Sequence, residues 1–255
     1  MNDVLHDLPP GIEQAQASEL TAEGIVVRFQ GLMAISDVSL TVMRHEVFGL
    51  IGPNGAGKTT LVNCLTGFQR PTTGRITLGG QDTTGWRPDR FRKNGVARTF
   101  QGGRLFRDMT VAENVEVTAL GLGMSRRTAH QHAMAMLAWV GLADKADLIA
   151  GTLPYTDERR VGVARALVLS PAFVLLDEPA AGMSDAECED LMTSIAAIPR
   201  EFTCGVLLIE HNMSVVMGVC DRIHVLDGGR TIAQGLPADI KRDAAVISAY
   251  LGMEG

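Results

Sequence analysis

No apolar run in this 255-residue chain approaches the about 20 residues that cross a bilayer; the longest are of the length of Val206-Leu207-Leu208-Ile209. The opening stretch MNDVLHDLPPGIEQAQASEL is acidic, with neither a cationic nor an apolar segment, so no secretory signal is expected. A basic excess is missing too. Against 23 Lys and Arg stand 29 Asp and Glu, a net charge of −6, whereas a chain that coats nucleic acid needs a basic face. No nucleic-acid partner is therefore expected. Cysteine pairs are absent: Cys64, Cys188, Cys204 and Cys220 lie far apart with no CxxC. That argues against a disulfide framework or a zinc site and for reduced thiols. His130 and His132 are two residues apart, which on a helix sends them to different faces, and they are read as solvated.

What is present fits a globular chain with a substantial core, 46% hydrophobic and 20% charged. Residues 1–20 read as a flexible leader. Short β-rich runs follow at Ile25–Phe29, Ile35–Val42 and Glu46–Ile51, then a helix from Lys58 to about Leu65, and further strands at Gly74–Leu78 and Gly95–Phe100. From Thr110 to Leu169 the period becomes helical. Thr110-Val-Ala-Glu113 is a capping box, Ala129–Val140 is a second helix closed by Gly141, and Asp157–Leu169 is a third. Met134 and Met136 read as core filler. Strands and helices then alternate through Phe173–Leu176, Asp185–Ile198, Cys204–Ile209, Met213–Cys220 and Arg222–Leu226, with a second capping box at Ser184-Asp-Ala-Glu187. Such alternation makes an α/β fold with a mostly parallel core sheet. The all-helical stretch between its halves reads as an insertion.

The chemistry starts at GPNGAGKTT. Strand, glycine-rich loop and helix follow one another in the order of a phosphate-binding loop, G-x-x-x-x-G-K-[ST]. Gly52, Gly55 and Gly57 let the backbone wrap phosphate closely, with Pro53, Asn54 and Ala56 completing the turn. Lys58 reaches the β- and γ-phosphates, and the Thr59 hydroxyl, followed by Thr60, suits Mg²⁺. FVLLDEP places Asp177 at the carboxyl end of a central strand, where open α/β sheets bind ligands, and Glu178 beside it suits the attacking water. GVLLIEH ends the same way, which aims His211 at the γ-phosphate. Gln101, ending VARTFQ, carries little signal alone.

In this order and spacing, GPNGAGKTT, RTFQ, VLLDEP and IEH resemble the ATPase domain of ABC transporters, over about residues 21–252. The resemblance implies a P-loop NTPase with an N-terminal antiparallel β subdomain, and a nucleotide-binding domain over 21–255 with a helical subdomain inserted at about 102–169. It implies ATP and Mg²⁺ as cofactors. It also makes Phe29 the aromatic that stacks on adenine, Gln101 a sensor of the γ-phosphate and ligand of the metal with Thr59 and Asp177, and Glu178 and His211 the hydrolytic pair. RFQGLMAISDVSL, LLDEPAAGMS, IEHNMSVVMGVCDRIHVLDGGR and VISAYLG look like the branched-chain amino-acid import ATPases. That narrower likeness implies a second ATPase subunit (a heterodimer, or a self-dimer), two membrane permease subunits, an extracytoplasmic solute-binding protein, and a peripheral position on the cytoplasmic face of the inner membrane. The rivals are a lipopolysaccharide-type export ATPase and a nucleotide-binding regulatory subunit with little turnover.

One departure stands out. The family signature is L-S-G-G-Q, or L-x-Y-G-Q in this branch, and here it reads Leu153-Pro-Tyr-Thr-Asp157. Thr156 replaces the glycine that lets backbone approach phosphate, and Asp157 replaces glutamine and sets a negative charge at a helix start. Thr156 is expected to cap that helix. Ser184 likewise stands where the family has Asp, or Asn in this branch.

Overall fold

The computed structural model describes residues 17–100 and 104–251. Gln101 and residues 1–16 lie outside them. The chain runs through β1 (Glu19–Phe29), β2 (Leu32–Met43), β3 (Val47–Ile51), α1 (Lys58–Leu65), β4 (Thr73–Leu78), β5 (Gln81–Asp82), α2 (Pro88–Lys93) and β6 (Val96–Arg98). The helices α3 (Val111–Gly121), α4 (Arg126–Trp139) and α5 (Tyr155–Leu167) follow. The rest is β7 (Phe173–Asp177), α6 (Asp185–Glu201), β8 (Gly205–Ile209), α7 (Met213–Val219), β9 (Arg222–Asp227), β10 (Arg230–Gly235), α8 (Pro237–Ile240) and α9 (Ala244–Leu251).

Among the described residues the strands form two sheets. The first has the order β2-β1-β4-β5 and is antiparallel. The second has the order β10-β9-β3-β8-β7-β6, parallel except for β10 at its edge. Its strands are unbroken apolar runs because both faces are covered. Val47 and Ile51 of β3, Val174 and Leu176 of β7, and Val206 and Leu208 of β8 enter one core, with α3 to α7. Phe48, Leu50, Phe173, Leu175, Leu207 and Ile209 enter the other, with α1 and the antiparallel sheet. The phosphate-loop strand β3 is thus fixed from both sides and from both edges.

Both capping boxes form. Thr110 accepts from the Glu113 N–H at 3.1 Å while the Glu113 carboxylate takes the Thr110 N–H at 2.8 Å. Ser184 and Glu187 do the same at the start of α6.

Several expectations need correction. β1 begins at Glu19, inside the stretch read as leader, because Leu20 and Ala22 are buried and paired across β2 and β4. His132 is not solvated. It is 1% exposed, and its Nδ1 lies 3.2 Å from the Val168 carbonyl, since α4 packs that face against the end of α5. Only His130 fits the solvated reading, paired with Glu116 at 2.7 Å. Helix α5 starts at Tyr155, two residues early, with Pro154 as its N-cap and no side-chain cap. Thr156 therefore lies inside the first turn and does not cap it. Strand β10 and helices α8 and α9 carry no strong periodicity and were not expected.

Candidate nucleotide site

β3 ends at Ile51 between β8 and β9, and the chain then turns sharply through Gly52–Gly57 into α1. Two glycines make the turn possible. A Cβ on Gly52 would lie 2.0 Å from the Leu226 carbonyl oxygen, and one on Gly57 would lie 2.8 Å from that of Ala34, at a left-handed φ of 100°. Side chains cannot be tolerated there. Pro53 is half-buried, Asn54 and Gly55 are exposed, and Ala56 is buried with its carbonyl accepting from Gly229 N–H at 3.1 Å. α1 has Gly57 as its N-cap and no acid in its first turn, so its first N–H groups and the positive end of its dipole are left to an anion.

Lys58 is 9% exposed and donates to the carbonyls of Gly52 at 2.6 Å and Pro53 at 2.9 Å. Burial pushes its pKa down, and the carboxylates of Glu178 and Asp177 oppose that. The structure thus brings Lys58, Asp177 and Glu178 into one electrostatic neighbourhood. Thr59 is exposed and Thr60 half-buried in the first turn of α1.

Asp177 closes β7, 7% exposed. Its N–H donates to Thr99 Oγ1 at 3.0 Å and its Oδ2 accepts from Arg98 Nη2 at 2.7 Å. Arg98 Nη1 also donates to Asn63 Oδ1 of α1 at 2.6 Å, and its guanidinium sits 5.1 Å from the Phe100 ring centre and 5.9 Å from that of Phe68. Arg98 was missed in the sequence, where its only signal is a cation at the end of a short strand. Glu178 has a left-handed φ of 47°, a conformation that costs a non-glycine residue about 1–2 kcal/mol. Its N–H donates to the Ile209 carbonyl at 2.9 Å. β7 and β8 run parallel with Asp177 opposite Ile209, so the turns carrying Glu178 and His211 are neighbours. His211 is well exposed, with Nδ1 3.9 Å from the carboxylate of buried Glu210. Phe29 ends β1 with nearly half its surface exposed, on the antiparallel sheet that packs over α1.

The first turn of α5 is built differently. Asp157 and Glu158 are both buried there, Asp157 accepting from Lys145 Nζ at 2.5 Å and Glu158 lying 3.4 Å from Arg107 Nη2. Arg159 stacks on exposed Tyr155 and donates to its hydroxyl. The Asp157 charge is thus matched by Lys145 and not presented bare. This tempers the negative charge that the sequence sets at that helix start.

Residues 35–181 match the family described as ABC transporter, and residues 230–252 match the C-terminal segment of branched-chain amino acid ATP-binding cassette transporters. The chain is 42% identical to the high-affinity branched-chain amino acid transport ATP-binding protein LivG of Salmonella typhimurium, across 91% of this chain and 97% of that one. It is 34% identical to the lipopolysaccharide export system ATP-binding protein LptB of Haemophilus influenzae, across 92% and 98%. Among solved structures, the ADP conformation of MJ1267, an ATP-binding cassette of an ABC transporter, superposes with a TM-score of 0.83 at 29% identity, covering 91% of this chain and 98% of that one. A glycine loop on a central strand, its lysine in the field of two carboxylates, and these likenesses over nearly the whole chain agree: the chain belongs to the ABC transporter family, as one of its ATP-binding ATPase subunits.

Proposed function

We propose that this chain hydrolyses ATP to drive import of branched-chain amino acids or similar small solutes, as one of two ATPase subunits closing face to face. The observation that carries the reading is Lys58 in the field of Asp177 and Glu178 beneath the Gly52–Thr60 loop. Its chemistry matches the binding and hydrolysis of a nucleoside triphosphate. Phe29 stacks on the base. Lys58 and the loop N–H groups hold the phosphates. The Thr59 hydroxyl and Asp177 carboxylate are hard oxygen donors of the kind Mg²⁺ takes, and Gln101 joins them. Mg²⁺, when bound, neutralises phosphate charge. Glu178 orients the attacking water, and His211 and Gln101 contact the γ-phosphate.

A groove of about 480 Å³ opens beside this site, lined by Phe68, Phe100 and Phe106 with Arg92, Arg98 and Arg104. It suits an apolar, acidic cytoplasmic segment of a permease subunit, which would place the chain peripherally on the inner membrane. No helix among the described residues is long and apolar enough to cross a membrane. The 230–252 match and the higher identity to LivG than to LptB favour import over lipopolysaccharide export.

The test is uptake by the transporter reconstituted in liposomes with the neighbouring permease, ATPase and binding-protein genes expressed together. Uptake of leucine, isoleucine or valine that needs ATP and fails with Lys58→Ala supports the reading. ATP hydrolysis without uptake of any amino acid overturns its import half.

A further inference from the structure

Glu210 is 0% exposed, and its neighbours in the chain, Ile209 and His211, belong to the end of β8 and the turn beyond it. Among the described residues no lysine or arginine pairs with it, and His211 Nδ1 lies 3.9 Å away. Backbone donors hold the carboxylate instead. One oxygen accepts from the Ala180 N–H at 2.7 Å, and the other from the N–H groups of His211 at 3.1 Å and Asn212 at 3.3 Å. Ala180 lies two residues after Glu178, so the two oxygens reach two different turns. A second bond, Glu178 N–H to Ile209 carbonyl at 2.9 Å, joins the same two turns from the other side. A buried carboxylate with three N–H donors has fixed geometry, because losing any donor leaves charge unsolvated in the interior.

We infer that Glu210 is a positioning residue: a strut that holds the Glu178 turn, with its left-handed backbone, at a set distance from the His211 turn. The two groups proposed to act on water and γ-phosphate lie in turns that follow separate strands, and this side chain adds to the β7–β8 pairing and the Glu178–Ile209 bond the contact that reaches from the His211 turn to Ala180. Glutamine cannot replace it, since its amide N–H₂ would face one set of backbone N–H groups donor to donor. Aspartate keeps the charge but is one methylene short and reaches only one turn. The inference rests on the reading of Glu178 and His211 given above.

The experiment measures ATP turnover of the assembled transporter carrying Glu210→Gln or Glu210→Asp, alone and with His211→Ala. Hydrogen exchange of the purified chain is read alongside. Misplacing reacting groups by a fraction of an ångström lowers turnover with little change in binding, so Glu210→Gln should lose about tenfold or more in kcat with KM for ATP within about twofold. Glu210→Asp should fall between it and wild type. Adding His211→Ala to Glu210→Gln should cost little further, because the histidine is already displaced. Amide exchange should rise together in 178–183 and 209–213 while α1 keeps its protection. Wild-type kcat in Glu210→Gln, or losses that multiply with His211→Ala, overturns the strut. So does a loss of protection across the whole chain in step with ATP affinity. If Glu210→Gln does not fold, Glu210→Asp decides by the same readings. Glu178→Gln is the control for the underlying reading: turnover that survives it refutes the hydrolytic assignment, whereas its loss beside an active Glu210→Gln refutes the strut alone.

Discussion

Helices α1 and α5 both begin where the family places phosphate, yet their first turns are opposites. α1 opens on a left-handed glycine with no acid in its first turn, and the only ionised side chain there, Lys58, is cationic. α5 opens on Pro154 and fills its first turn with Asp157 and Glu158, each tied to a cation of the helical segment. The first leaves its dipole and N–H groups to a ligand. The second sets two carboxylates, held by Lys145 and Arg107, at the positive end of its dipole. Two helix ends of the same fold can thus differ in what they offer an anion, and the difference lies in a handful of side chains.

The largest expected effect breaks the α1 side. Lys58→Ala in the assembled transporter should lower ATP turnover by about 10²–10³-fold, the usual cost of a preorganised charge contact. The same change in the second ATPase's loop should cost less, if α5 of this chain completes only a slow site. Equal losses, read by steady-state ATPase assays, would erase the asymmetry. Glu178→Gln comes next. Turnover should fall about 10²-fold or more while ATP affinity stays within about threefold, as titration of labelled ATP will show.

Changes on the α5 side are smaller. The purified chain alone should hydrolyse ATP slowly, and Thr156→Gly should raise that rate by a few fold by letting backbone approach phosphate. Asp157→Gln should add little, because it strands Lys145. If the isolated chain already matches the complex, the altered signature is neutral.

The smallest effect sharpens the comparison from beneath. His224 of β9 pairs with Leu50 of β3, just under the phosphate loop, and burial depresses its pKa from 6.5 to about 4. Above pH 6.5 it is neutral folded and unfolded. As pH falls from 6.5 to about 4 the unfolded chain takes up a proton that the folded chain refuses, so stability drops by at most about 1.4 kcal/mol per pH unit from this group. Chemical denaturation at pH 7 and pH 5 should show the loss, and His224→Gln should reduce it.

The α1 side was legible because its geometry is local. Gly52, Gly57 and Lys58 lie within seven residues, and apolar runs announce β3, β7 and β8 directly. The α5 side was not. Its start depends on Pro154, which shifts the helix two residues ahead of the apolar period, and the meaning of Asp157 depends on Lys145, twelve positions away on another turn. Arg98 and Glu210 escaped for the same reason, since their partners are brought together by strand pairing, β6 with β7 for Arg98 and β7 with β8 for Glu210. His132 looked solvated because a polar residue on α4 gives no hint that Val168 covers it. Gln101, although named, lies outside the described residues.

The cysteines have a practical consequence. All four are buried thiols, and burial lifts Cys64, Cys204 and Cys220 to about 12. Alkylating reagents attack the thiolate, so the folded chain should resist them at neutral pH and react only through opening. Each thiol then works as a clock for the element around it. Cys64 sits one turn beyond Thr60 in α1, and ATP should slow its labelling by clamping the helix start. Cys204, just before β8 at the opposite end of that strand from His211, should keep its pace. Mass spectrometry of timed iodoacetamide reactions reads both clocks from one sample, and equal slowing of the two would mean that nucleotide tightens the whole molecule at once.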